Sequence, residues 1–150
     1  MPNPTINDVR QFLTRKGVKV QGFDRPKELD SATATVSVWL PMRLKNPLNV
    51  SEHWRVRSKR AKMQRTTAFY RLAGIAKPTP PVVVTITRMY SGRCQPMDDD
   101  GLSAACKNLR DGVADSYNSD DSKKSGLRFV CQQERAADNL VHIVIEPEHQ

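Results

Sequence analysis

The most nearly continuous apolar run of the chain is residues 81–90, PVVVTITRMY, rich in β-branched side chains, and it predicts a buried strand. Residues 33–40, TATVSVWL, alternate small or apolar side chains with polar ones at the two-residue period of a strand. Residues 127–133 and 140–146 (LVHIVIE) predict two further strands. Helical signals fall between them. Ser51 is a candidate cap for a helix running to about residue 73, which Gly74 and the KPTPP of residues 77–81 bring to an end. A second helix is predicted over residues 101–117. At 100° per residue, Leu102, Cys106, Leu109 and Val113 fall in one narrow arc, while Asp100, Ala104, Lys107 and Asp111 fall opposite. Residues 118–126 read as a loop. Near the start, residues 5–16 predict a short helix: Thr5 can cap it, Asp8 sits at the capping-box distance, and Ile6, Val9 and Leu13 share a face before Gly17.

Strands interleaved with helices in this order predict an α+β fold, a small mixed sheet of about four strands covered by helices. The chain has 150 residues, enough for one domain with a core of its own. The pattern assigns residues 33–150 to that domain and residues 1–32 to an N-terminal extension with a short helix. The first residues lack a basic stretch followed by an apolar one, and the run around residues 82–86 is too short to span a bilayer. Three widely spaced cysteines, Cys94, Cys106 and Cys131, with no CxxC, predict reduced and mostly buried thiols rather than a zinc site. The expected setting is the cytoplasm, with no membrane association. No phosphate-binding glycine loop and no internal repeat is present.

Charge sharpens this picture. The net charge is +8, and residues 43–71 alone carry nine basic side chains against Glu52. The remaining residues therefore cancel. Arg55, Arg57, Lys59, Arg60, Lys62 and Arg65 surround the first predicted helix rather than lining one face, so packing cannot hide them all. Such a block suits a surface that binds a nucleic-acid backbone; its plainer reading is a solvated helix face or tail. Neutralising about six phosphates would give a log K against log salt slope near −5. Trp54, Phe69 and Tyr70 lie on the same helix and can either pack on the core or touch exposed bases.

The opposite charge gathers at residues 98–121, where seven Asp face only Lys107 and Arg110. Asp98 and Asp100 are separated by one residue, so an extended backbone just before the helix would direct both toward one point, and Asp120 and Asp121 can join them. Converging carboxylates need a cation among them, and hard oxygen donors favour Mg²⁺ or Mn²⁺ over zinc. The same residues have a plainer reading, in which Asp at a helix N-terminus complements the helix dipole and Lys107–Asp111 is a surface i,i+4 pair. An EF-hand is excluded, because Gly101 in its sixth position would put Pro96 first and Lys107 last. A phosphorylatable receiver Asp fits poorly, since the chain is not a repeating βα pattern.

A basic surface beside a carboxylate–Mg²⁺ site suits hydrolysis of a phosphodiester, with a lysine to offset transition-state charge. Three segments carry a resemblance to a known family: LPMRLKNPLNVSEHWRVRSKRAKMQR, MDDDGLSAACKNLRDGVAD, and Asp120–Asp121 followed by FVCQQER. Over roughly residues 35–146 the chain resembles the RusA-type Holliday-junction resolvases of bacteria and their phages. The resemblance implies a RusA-like fold and a homodimeric, Mg²⁺-dependent endonuclease that resolves branched DNA by paired nicking in recombination and repair. It implies Asp98, Asp100 and Asp121 as metal ligands and Lys107 as the catalytic lysine. Asp111 is expected to orient Lys107 or to join the site, and Arg55 to Arg65 to hold the DNA arms. The chain departs from the family at Gly101, where Asn is usual, and in the longer spacing to Lys107, which matches a phage-like variant. A catalytically silent branched-DNA-binding accessory protein and an RNA-directed metal nuclease share most of these features.

Overall fold

The computed structural model describes residues 35–120 and 122–149; the helix expected at residues 5–16, the N-terminal extension and Asp121 lie outside them. Four strands, β1 (Val36–Leu40), β2 (Val82–Tyr90), β3 (Leu127–Arg135) and β4 (Leu140–Pro147), form one sheet in the order β1-β4-β2-β3. β4 runs antiparallel to both β1 and β2, whereas β2 and β3 are parallel. The sheet is therefore mixed and the fold α+β. Parallel neighbours cannot be joined by a tight turn. Here the connection is a helix, α2 (Asp99–Ser116), which packs on the sheet with α1 (Trp54–Ala73) against it.

The β-branched run of β2 lies at the centre of the core. Val82, Val84 and Ile86 are fully buried, facing Ile143 and Ile145 of β4 and Leu102, Leu109 and Val113 of α2. Leu102, Cys106, Leu109 and Val113, the arc predicted to be apolar, are all buried, and Asp100 and Lys107 are exposed. Of the three thiols only Cys106 is buried; Cys94 and Cys131 are half-buried, short of the expectation that most would be covered. Among the described residues no helix is long and apolar enough to cross a membrane.

α1 is different in kind. Only Gln64, Ala68 and Leu72 are buried along its twenty residues, so the core holds its C-terminal half, while eight of its first ten residues are exposed and Arg60 and Ala61 half-buried. The helices meet closely at Gly112, where a Cβ would lie 2.3 Å from the Arg65 carbonyl oxygen and 2.9 Å from the Ala68 Cβ. Only hydrogen fits there. Around this contact Asn108 donates to Gln64 Oε1 at 3.0 Å, and Arg65 grips Asp115 with two nitrogens at 2.6 and 2.9 Å.

Candidate active site and nucleic-acid interface

Helix α2 begins two residues earlier than its pattern suggested, because Asp98 is its cap: Oδ1 accepts the Gly101 N–H at 3.0 Å. Asp99 and Asp100 then occupy the first turn, where the helix dipole favours negative charge. The expectation that an extended backbone aligns Asp98 and Asp100 is thus corrected. The backbone is already helical at Asp100, and successive helical residues turn by about 100°. Capping uses one lone pair of a carboxylate that offers about four, so Asp98 retains capacity for a further partner.

The loop that presents Asp98 is clamped from behind. Arg88, on β2 and only 4% exposed, donates to the Gln95 carbonyl at 3.2 Å and to Gln133 Oε1 at 2.9 Å. Gln133 in turn accepts from Met97 N–H at 3.0 Å and donates to its carbonyl at 2.6 Å. Arg135 donates to the Gly92 and Cys94 carbonyls, and Asn139 Oδ1 takes the Ser91 N–H. Burial lowers the Arg88 pKa from its ordinary value, yet a guanidinium keeps its charge. These residues escaped the motif reading. They left two signals, an arginine interrupting the apolar run of β2 and the Gln and Arg of FVCQQER, and neither was given a role.

In front of Asp98 opens a cleft of about 490 Å³ between this loop and the segment joining β1 to α1. Arg43, Lys45, Asn46, Arg88, Gln95 and Asp98 line it. Asn46 Oδ1 accepts the Leu48 N–H at 2.9 Å, which leaves its amide nitrogen turned to Gly101 and Asp98. A Cβ at position 101 would sit 2.3 Å from that nitrogen and 2.5 Å from Asp98 Oδ1. The missing side chain of Gly101 is the space the Asn46 amide fills.

Lys107 and Asp111 lie on the solvent side of α2 and pair at 3.4 Å, with Lys107 61% exposed and Asp111 mostly covered. The lysine leans toward the helix C-terminus, and Asp100 lies about 10 Å behind it along the axis. Asp120 is exposed, and hydrogen bonds from the Ser122 hydroxyl and then the Ser122 N–H hold its pKa below the ordinary value. The fold brings Asp98 and Asp100 to one helix end and Lys107 with Asp111 to the middle of the same helix. Among the described residues, no three His, Cys, Asp or Glu side chains converge as a metal cage.

The six basic residues expected to hold nucleic acid divide in two. Arg55, Arg57, Lys59 and Lys62 are exposed on the projecting half of α1 and form no ion pair among the described residues. Arg60 instead pairs with Glu52, and Arg65 with Asp115. The hydrogen bond from Arg60 holds the Glu52 carboxyl below its ordinary pKa. Glu52 also lies 3.8 Å from Lys45, so it ties the cleft segment to the second turn of α1. The cap of α1 is His53 rather than Ser51, its Nδ1 accepting the Arg55 N–H at 3.3 Å. Trp54 is 66% exposed beside the Arg55 guanidinium, which settles it as a surface residue, whereas Phe69 is half-buried against Tyr70.

A scan of the chain against protein-family models finds no match, and a search of curated protein sequences finds none.

Proposed function

We propose that this protein is a divalent-metal-dependent endonuclease of the RusA type, acting on branched DNA. The observation that carries the reading is a juxtaposition. Asp98 and Asp100 stand at the start of α2, Asp98 lining a cation-rich cleft, and α1, whose C-terminal half packs on the same helix, projects its exposed basic half from that contact. An all-carboxylate donor set suits Mg²⁺ or Mn²⁺; Asp98, with lone pairs left after capping, would hold it, and Asp100, turned away from Asp98 by the helix, and Asp121 are the further ligands the resemblance implies. When bound, the ion supplies an activated water and offsets charge on the transferring phosphoryl group.

The chain's own residues do the rest. Arg55, Arg57, Lys59 and Lys62 bind the sugar-phosphate backbone and set its register. Lys107 offsets developing charge once it leaves Asp111. The exposed, flexible lysine stem allows that release, while the mostly covered Asp111 favours its return. Asp111 otherwise parks the ammonium on the helix surface. Two copies related by a two-fold axis would match the symmetry of a four-way junction.

Labelled four-way junction, flap, duplex and single-stranded DNA, incubated with Mg²⁺ or with EDTA, test the reading. Mg²⁺-dependent cleavage of the junction, reduced at least a hundredfold by Asp100→Asn, is the expected result. The absence of metal-dependent cleavage on every substrate would overturn it. The pairing of Lys107 with Asp111, away from Asp98 and Asp100, favours a second reading: a silent branched-DNA-binding accessory protein. That protein would bind junctions as tightly or more tightly after Asp98→Asn, because a repelling charge is gone. Competition with RNA separates the remaining choice of nucleic acid.

A further inference from the structure

The cleft in front of Asp98 shares that one carboxylate with the proposed metal site and takes no residue from α1. Its walls come from three separate stretches of chain: the segment after β1, the end of β2 and the clamped loop before α2. They contribute three cations, Arg43, Lys45 and Arg88, against the single carboxylate of Asp98. Arg43 is exposed and has no ion pair among the described residues, while Lys45 keeps only a 3.8 Å approach to Glu52. Arg88 is buried and fixed by two hydrogen bonds, a charge built into the wall. A concave site with surplus positive charge and amide donors takes an anion with several oxygens. Val50, Pro96 and Met97 add apolar surface for what the anion is attached to.

We propose that this cleft is a phosphate-binding site for a nucleic-acid strand, with Arg43 and Lys45 as its exposed ligands and Arg88 as its fixed charge. The inference rests on the nucleic-acid reading above and deepens it, placing a second hold on the strand away from α1. Asn46 forms the wall on the Asp98 side. Its amide stays there because residue 101 has no side chain, so the phosphate site and the α2 cap share one contact.

Titrating the ¹⁵N-labelled full chain with the dinucleotide pdTpdT in EDTA tests this without any cleavage. Saturable shifts in the amides of residues 43–50 and 94–98 are expected. Arg43→Ala/Lys45→Ala should bind about tenfold more weakly or worse, as the loss of hydrogen bonds to a charged group implies. Both side chains are exposed, so the double variant keeps the fold. An uncharged methylphosphonate analogue should lose the same shifts. Shifts confined to α1, no saturable shift at all, or equal affinity in the double variant would overturn the proposal. Intact binding here with no cleavage of any DNA would leave the cleft standing and remove the nuclease reading.

Discussion

Asp98 does two jobs that substitution can separate. Its Oδ1 caps α2, and its charge faces the cleft. Asn caps a helix about as well as Asp, whereas Ala does not, at a cost of roughly 1 kcal/mol. Asp98→Asn is therefore expected to leave the urea midpoint close to that of the wild type while abolishing metal-dependent cleavage. Asp98→Ala should lose both. An Asp98→Asn protein that cleaves at the wild-type rate would show that the carboxylate serves only the cap. Gly101 illustrates a further point at this scale. Read along the chain, it is a missing amide; in three dimensions an amide is present, delivered by Asn46 from a segment 55 positions earlier. No local pattern reveals a contact of that separation.

The two helices differ in how each is held. α2 presents a full apolar stripe to the sheet, and its periodicity made both that stripe and its solvent face legible. α1 carries basic residues all round, so its pattern predicted a helix but not how little of it would be covered. The strands were legible to within about three residues, β2 from its nearly unbroken β-branched run and β1 from the period that burial on one face leaves. Helix starts were not, because caps depend on which side chain folds back onto the first turn. Ser51 yielded to His53, and the extended Asp98–Asp100 pair became a cap and a first turn. The clamp of Arg88, Gln133 and Arg135 was illegible as well, since it joins segments that only the sheet brings together. At Gly112 two tendencies oppose each other. Alanine would raise helix propensity by about 1 kcal/mol. Its methyl, however, would lie against the Arg65 carbonyl, and overpacking typically costs about 1–3 kcal/mol. The collision is with backbone, which cannot swing aside. Gly112→Ala is expected to lower stability by chemical denaturation, and a variant more stable than wild type would contradict the close approach.

Over the whole molecule the charge of +8 acts as two separate surfaces, and salt dependence can count what each contributes. Each phosphate contact on duplex DNA adds about 0.9 to the slope of log K against log salt. Lys59→Gln/Lys62→Gln should flatten the slope by about 1.8 with the fold intact. Arg60→Gln is different. It breaks the link through Glu52 and frees the cleft segment from α1, so affinity should fall by more than one lost phosphate contact implies. Fluorescence anisotropy over a range of salt concentrations distinguishes the two cases. An Arg60→Gln slope and affinity equal to those of a single lysine variant would mean that the link carries no consequence.

The glycine contact between α1 and α2 reaches beyond stability. A close backbone approach leaves two helices no room to slide where they touch, so the packed half of α1 and the carboxylate end of α2 are held at one spacing. If the protein acts on DNA as proposed, it behaves as a gauge, and any adjustment falls to the substrate. Duplex DNA resists this, being stiff over about 150 base pairs. A branch point yields, because its arms pivot about unstacked bases. On this view preference for branched DNA needs no dedicated reader of the junction. It follows from a rigid tool choosing the workpiece that can bend to fit it.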